Sequence, residues 1–199
     1  MDSNIEYYNK NAASFIAGTR TADMSLWRDK FENYVPDGAR ILDAGCGSGR
    51  DSKAFISHGF SVVAFDASGE MCQAASEYIG QEVWQMTFQE IAFEDEFYGI
   101  WACASLLHVP YEELPEVMKK LYKALRPGGV IYVSFKYGDG IMTKGERTFS
   151  NFTEASLQKL LDEAGLEMRE CGLTGDVRDG RSEEQWVNAI AVRVKASRA

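Results

Sequence analysis

Residues 41–52 read Ile41-Leu42-Asp43-Ala44-Gly45-Cys46-Gly47-Ser48-Gly49-Arg50-Asp51-Ser52. A short apolar run, Arg40–Asp43, ends there as a strand, and helix-forming residues follow from Arg50 to His58 until Gly59 stops them. Glycines permit the positive φ angles of so abrupt a turn and let a ligand lie against the backbone. In an open α/β sheet, ligands bind outside the carboxyl ends of the strands, where this turn would sit. The spacing is G-x-G-x-G, unlike the G-x-G-x-x-G of dinucleotide sites, and a carboxylate stands two residues before the first glycine. A pyrophosphate seeks bare amides and is repelled by that carboxylate, whereas a ligand bearing a sulfonium and an ammonium is attracted. A second acid, Asp66, ends the next apolar run, 23 positions after Asp43. An acid at that place can accept hydrogen bonds from ribose hydroxyls.

Outward from this loop, strand and helix signals alternate. Ser61–Phe65 reads as a buried strand and Ser68–Ile79 as a helix with Ser68 as its cap. Glu82–Met86 and Gly99–Ser105 read as strands, and Glu112–Leu125 as an amphipathic helix ended by Arg126-Pro127-Gly128-Gly129. Val130–Phe135 is a β-prone strand, and Thr153–Ala164 a helix closed by Gly165. Leu166–Cys171 and Trp186–Val194 are joined only by a polar loop and should form an antiparallel hairpin at the sheet edge. The segment from Tyr7 to Tyr34 reads as one or two helices, with Phe15, Trp27, Phe31 and Tyr34 on the packing side. The expectation is an α/β fold: a Rossmann-like, mostly parallel seven-stranded sheet with helices on both faces and a C-terminal antiparallel hairpin. Residues 1–199 are expected to form a single domain, 1–36 a helical cap and 37–199 the core.

Of the 199 residues, 45% are hydrophobic and 26% charged, the composition of a globular chain able to bury its own core. Thirty acidic against 21 basic side chains give a net charge of −9, which argues against a nucleic-acid partner. The cysteines, Cys46, Cys72, Cys103 and Cys171, match neither a disulfide framework nor a zinc pattern, so no metal is expected. The polar start MDSNIEYYNKNAASF is not a secretory signal, and no apolar stretch is long enough for a membrane span. These features point to a cytoplasmic protein, a monomer or homodimer.

The chain resembles the class I S-adenosylmethionine-dependent methyltransferases from about Ile41 to Val194. ILDAGCGSGRDS looks like their first motif, VVAFDAS like their second-strand motif, and ALRPGGVIYVSF like the turn before their fifth strand. Within the class it is most similar to small bacterial enzymes of the tellurite-resistance and quinone- or biotin-pathway types. The resemblance implies S-adenosyl-L-methionine as cofactor. Asp43 would orient its amino group, and Gly45, Cys46 and Gly47 would line its methionine portion. Asp66 would hold the ribose, with Ala67 and Met71 beside the adenine. Thr87 stands where the family usually has an acid near the adenine amino group, and Phe88 would meet the base. Cys103 would lie under the methionine moiety. The strand before it starts at Gly99, where the family often has Asp.

Methyl transfer places positioning and water exclusion on the protein and needs a base only where the acceptor must lose a proton. After the fourth strand the chain reads Ser105-Leu106-Leu107-His108-Val109-Pro110, with no Asn-Pro-Pro-Tyr-like segment of the kind that suggests amide or base nitrogens. His108 suits either a base or a loop histidine bonded to backbone. Arg50 could pair with the ligand carboxylate or simply open a solvated helix. Tyr7 and Tyr8 could reach ligand or substrate, or only pack. Lys136 and Arg147 flank a Gly-rich stretch that would overhang the site, with Arg147 as an anion anchor or part of a surface loop. The expected function is methyl transfer to a small-molecule acceptor. A protein or tRNA methyltransferase, or a protein that binds S-adenosylmethionine without catalysis, are the alternatives.

Overall fold

The computed structural model describes residues 3–178, 181 and 183–195. Two helices, α1 (Ser3–Thr19) and α2 (Ser25–Glu32), precede the alternation β1 (Arg40–Ala44), α3 (Arg50–Ser57), β2 (Ser61–Asp66), α4 (Gly69–Ile79), β3 (Trp84–Gln85) and β4 (Phe97–Ala102). Then come α5 (Leu114–Ala124), β5 (Leu125–Lys136), β6 (Gly140–Lys144), β7 (Arg147–Asn151), α6 (Glu154–Glu163), β8 (Leu166–Gly175) and β9 (Gln185–Arg193). Among the described residues, seven strands form one sheet in the order β3-β2-β1-β4-β5-β9-β8. Neighbours from β3 to β5 pair in parallel, and β9 runs antiparallel between β5 and β8. The expected edge hairpin is therefore present.

Alternation along each central strand feeds two apolar layers. Leu42, Ile100 and Ile131 face the layer of Leu121 and Leu161 from α5 and α6. Their neighbours Ile41, Trp101 and Tyr132 face Phe31 of α2, Phe55 of α3 and Ala75 of α4. Burial on both faces explains why these strands read as nearly continuous apolar runs. Trp101 and Tyr132 stack at 3.9 Å in the second layer. Gly99 is where α2 meets the sheet: a Cβ there would lie 2.6 Å from Phe31 Cζ.

The helix caps follow the sequence. Ser68 Oγ accepts from Met71 N–H at the start of α4, and Thr153 caps α6. Several expectations need correction. The strand expected over Glu82–Met86 is only Trp84–Gln85, because this edge strand pairs with β2 at two positions. The strand expected to reach Ser105 ends at Ala102, where the chain turns away and Ala104 adopts φ +50°. Tyr34 is exposed, its hydroxyl donating to Glu170, because it lies beyond the end of α2. The stretch between Lys136 and Arg147, expected as an open loop, leads into a second sheet. In it β6 and β7 form a hairpin around the two-residue turn Gly145-Glu146, with Gly145 at φ +63°. The two N-terminal helices also divide their work: α2 packs into the sheet's core, while α1 lies against α4 and β7.

Candidate active site

The loop after β1 is held from two sides. Gly45 and Cys46 N–H both donate to Phe65 O at 2.9 Å, and Ser105 Oγ donates to Ala44 O at 2.7 Å. A Cβ on Gly45, which has φ +74°, would sit 2.5 Å from Ser105 Cβ, so only glycine fits. Gly47 N–H donates to Asp66 Oδ2 and Ser68 N–H to Asp66 Oδ1, each at 2.9 Å. The acid at the end of β2 thus ties the glycine loop to the start of α4. Burial raises its pKa, and those backbone donors oppose the rise.

Asp43, at the end of β1, is 2% exposed and accepts from Ser52 Oγ at 2.5 Å. Burial, reinforced by the charge of Asp51, raises its pKa to about 7. Asp51 is the residue the sequence did not single out. Its carboxylate takes Arg50 Nη2–H at 2.6 Å, Arg50 Nε–H at 3.0 Å and Trp101 Nε1–H at 2.9 Å. Arg28 Nη1 stands 3.7 Å away. Arg50 is therefore engaged by its own neighbour, and it also reaches Thr19 O and Cys103 Sγ. Burial pushes the Cys103 thiol up to about 12 and Cys46 well above its usual range, so both stay protonated.

Every candidate cofactor, catalytic or substrate residue from the sequence lines one cavity at the carboxyl ends of the strands, except Tyr7. Tyr7 packs edge-on against Tyr8 with the Arg147 guanidinium 4.3 Å above its ring. Thr87 Oγ1 is spent on Glu90 Oε2 at 2.8 Å, capping a turn at Phe88–Glu90, and Phe88 packs edge-on against Phe65. Ala67 and Met71 line the same side of the cavity.

The opposite wall comes from α1, β7 and β9. Tyr8 Oη lies 2.8 Å from His108 Nε2. Burial lowers the His108 pKa to about 4, so the ring is neutral at pH 7, and burial raises that of Tyr8. Lys136 is 8% exposed and bonds Glu184 Oε2 at 2.5 Å. Arg178 pairs with Asp176, which also accepts from Trp186 Nε1–H at 3.2 Å. Asp176, Arg178, Glu184 and Phe149 escaped the sequence reading. Their only local signal was a polar loop before β9 and an alternating stretch around Gly145. No helix among the described residues is long and apolar enough to cross a membrane.

The sequence profile of the methyltransferase domain matches residues 41–129. A malonyl-[acyl-carrier protein] O-methyltransferase of Serratia marcescens is 32% identical over 136 residues, 62% of this chain and 51% of that protein. The chain thus spans about half the length of the curated relatives of that name. A ubiquinone biosynthesis O-methyltransferase of Xylella fastidiosa is 27% identical over 184 residues, 80% of this chain and 71% of its own length. Among solved structures, the Burkholderia thailandensis 1,6-didemethyltoxoflavin-N1-methyltransferase, with bound 1,6-didemethyltoxoflavin and S-adenosylhomocysteine, superposes with a TM-score of 0.82. It is 20% identical and the match covers 97% of this chain and 88% of that one, a likeness of fold. Sheet order, glycine loop and these matches point the same way: over its strand–glycine-loop core the chain is similar to S-adenosylmethionine-dependent methyltransferases.

The residues present fit that cofactor. The cradle at Gly45 leaves no room for a Cβ, and Asp43 and Asp66 form no ion pair among the described residues. A buried and a half-buried carboxylate, neither in an ion pair, suit a ligand that brings positive charge.

Proposed function

We propose that this protein binds S-adenosyl-L-methionine in the glycine-loop end of the cavity and methylates a small-molecule acceptor at the other end. The observation that carries the reading is the pair of acids, buried Asp43 and half-buried Asp66, at the ends of adjacent parallel strands with the glycine loop between them. The cofactor supplies an electrophilic methyl group when bound. Asp43 orients its amino group, and Asp66, fixed by Gly47 and Ser68, takes the ribose hydroxyls. The Gly45, Cys46 and Gly47 backbone and Cys103 line the methionine portion, and Ala67, Met71, Thr87 and Phe88 frame the adenine. Arg50, held by Asp51, shapes the far end of the loop. Tyr8 on α1 covers the cavity, which makes the N-terminal segment 1–36 in part a cap and excludes water.

His108 is the side chain best placed to meet the acceptor. Neutral at pH 7, it is in the protonation state of a base, but a weak one. That serves a nucleophile which parts with its proton readily or has none to lose. Lys136 and Arg147 flank the same space. The named activities of the relatives, on malonyl-[acyl-carrier protein] and in ubiquinone biosynthesis, support a metabolite acceptor over a nucleic acid, as does the net charge of −9.

Calorimetry with S-adenosylmethionine, S-adenosylhomocysteine and NAD tests the cofactor. Binding of the first two is expected, weakened by about 1–3 kcal/mol in Asp66→Ala. NAD binding without response to the sulfonium ligand would overturn the reading. Release of S-adenosylhomocysteine on incubation with fractionated metabolite, protein and tRNA pools separates a small acceptor from a macromolecular one and from binding without catalysis.

A further inference from the structure

The two ends of the cavity carry opposite uncompensated charge. At the glycine loop these are Asp43 and Asp66. At the other end Arg178 pairs with Asp176, while Glu184 is shared by Lys136, Lys144 and Arg181, so the cations outnumber their carboxylate partners. Arg147 differs, for it forms no ion pair among the described residues. Its Nε is buried without a hydrogen-bond partner, although the side chain lines the cavity. The guanidinium rests over the rings of Tyr7 at 4.3 Å and Phe149 at 5.2 Å. Aromatic faces offset part of the cost of burying a cation, and the guanidinium also bonds the Tyr8 side chain, but its Nε–H is left unused. Nor is the residue adrift: the next amide, Thr148 N–H, donates to Asn4 Oδ1 at 3.1 Å, which holds this part of β7 against α1.

We propose that Arg147 receives a carboxylate of the methyl acceptor, so that the acceptor is a small carboxylate with an apolar body lying along Phe149 and Trp186. This rests on the reading that the acceptor occupies this cavity. A guanidinium offering Nε and a terminal nitrogen side by side matches the two oxygens of a carboxylate. Lys136 and Arg178 each face a carboxylate within hydrogen-bond reach, whereas Arg147 keeps an unpartnered Nε. An anionic acceptor must also approach a protein of net charge −9, so attraction has to come from a short-range contact inside the cavity.

The test uses the full chain saturated with S-adenosylhomocysteine and paired probes of equal shape. These are benzoate and benzamide, phenylacetate and phenylacetamide, and hexanoate and hexanamide, each followed by ligand-observed NMR titration. At least one acid is expected to bind about tenfold or more tightly than its amide. Arg147→Gln is expected to abolish that preference while S-adenosylhomocysteine affinity stays within about twofold, as for distant sites. Absence of any acid preference, or its survival in Arg147→Gln, would overturn the proposal. If Arg147→Gln does not fold, Arg147→Lys replaces it, keeping the charge and losing the fork; an undiminished preference there also overturns the proposal. Failure of the wild-type chain to bind S-adenosylhomocysteine would instead remove the reading on which it rests.

Discussion

The hydroxyl of Tyr8 and Nε2 of His108 meet at 2.8 Å although 100 positions separate them. The bond joins the covering helix α1 to the turn after β4, at the edge of the acceptor space. Which of the two donates depends on the tautomer of the neutral imidazole.

Tyr8→Phe should leave His108 Nε2 buried without its partner and lower stability by about 1 kcal/mol. Hydrogen exchange is the sharper measurement. Amides of α1 are expected to exchange faster in the variant, while those of β1 and β4 keep their protection. Equal protection of α1 in both proteins would show that the bond does not hold the cover.

Acid should act on His108. Its folded pKa is about 4 against an ordinary 6.5, so between these values the unfolded chain holds a proton that the folded one lacks. Its contribution is thus fully present above pH 6.5 and is lost as the pH falls toward 4. In His108→Asn, the stability difference between pH 7 and pH 4.5, measured by urea unfolding, should shrink by about 2 kcal/mol.

Asp43 has the opposite sign. With a pKa of about 7, the folded protein keeps a proton between pH 3.8 and 7 that the unfolded chain has lost, and that stabilisation fades as the pH rises through 7. A cationic amino group beside Asp43 favours the carboxylate. Binding of S-adenosylhomocysteine at pH 7 should then release roughly half a proton, and none at pH 9. Calorimetry in buffers of different ionisation enthalpy reads this directly, and Asp43→Asn should abolish it.

Asp51→Ala should cost about 3 kcal/mol, because it strands the Arg50 guanidinium and the Trp101 indole N–H inside the protein. Equilibrium unfolding measures the loss. Asp51→Asn, which retains an acceptor for Trp101, is expected to cost less.

The parts of the site legible in the sequence were those built from neighbours in the chain. The turn at Gly45-Cys46-Gly47 and its two flanking acids are dictated by local backbone geometry, so spacing alone exposed them. Asp51 lies just two residues beyond Gly49, yet its importance comes from Trp101, 50 positions away, and from Arg28. Nothing local distinguishes it from an acid at the start of a solvated helix. The cations of the acceptor end were half visible. Lys136 and Arg147 were found, but their difference depends on Glu184, which neutralises one and not the other. The β6–β7 hairpin did carry a signal, in Gly145 between alternating residues. A Gly-rich approach through Gly138 and Gly140 hid it. At the sheet edge, β3 shows the limit of sequence pattern: the five-residue run Glu82–Met86 pairs at only two places because a single neighbour is within reach.

The antiparallel β9 also bears on how the chain is made. Until Gln185–Arg193 emerge from the ribosome, the row of backbone groups from Val130 to Lys136 has no partner on one side. Residues 137–184 must be synthesised first, which takes roughly 2–10 s at ordinary rates of translation. For that interval the middle of the future sheet is an open edge, apolar on both faces and free to pair with another nascent chain. The polar loop before β9 and the charged surface of α6 are then the nearest protection this edge has, and crowded synthesis should be more hazardous to this protein than dilute refolding.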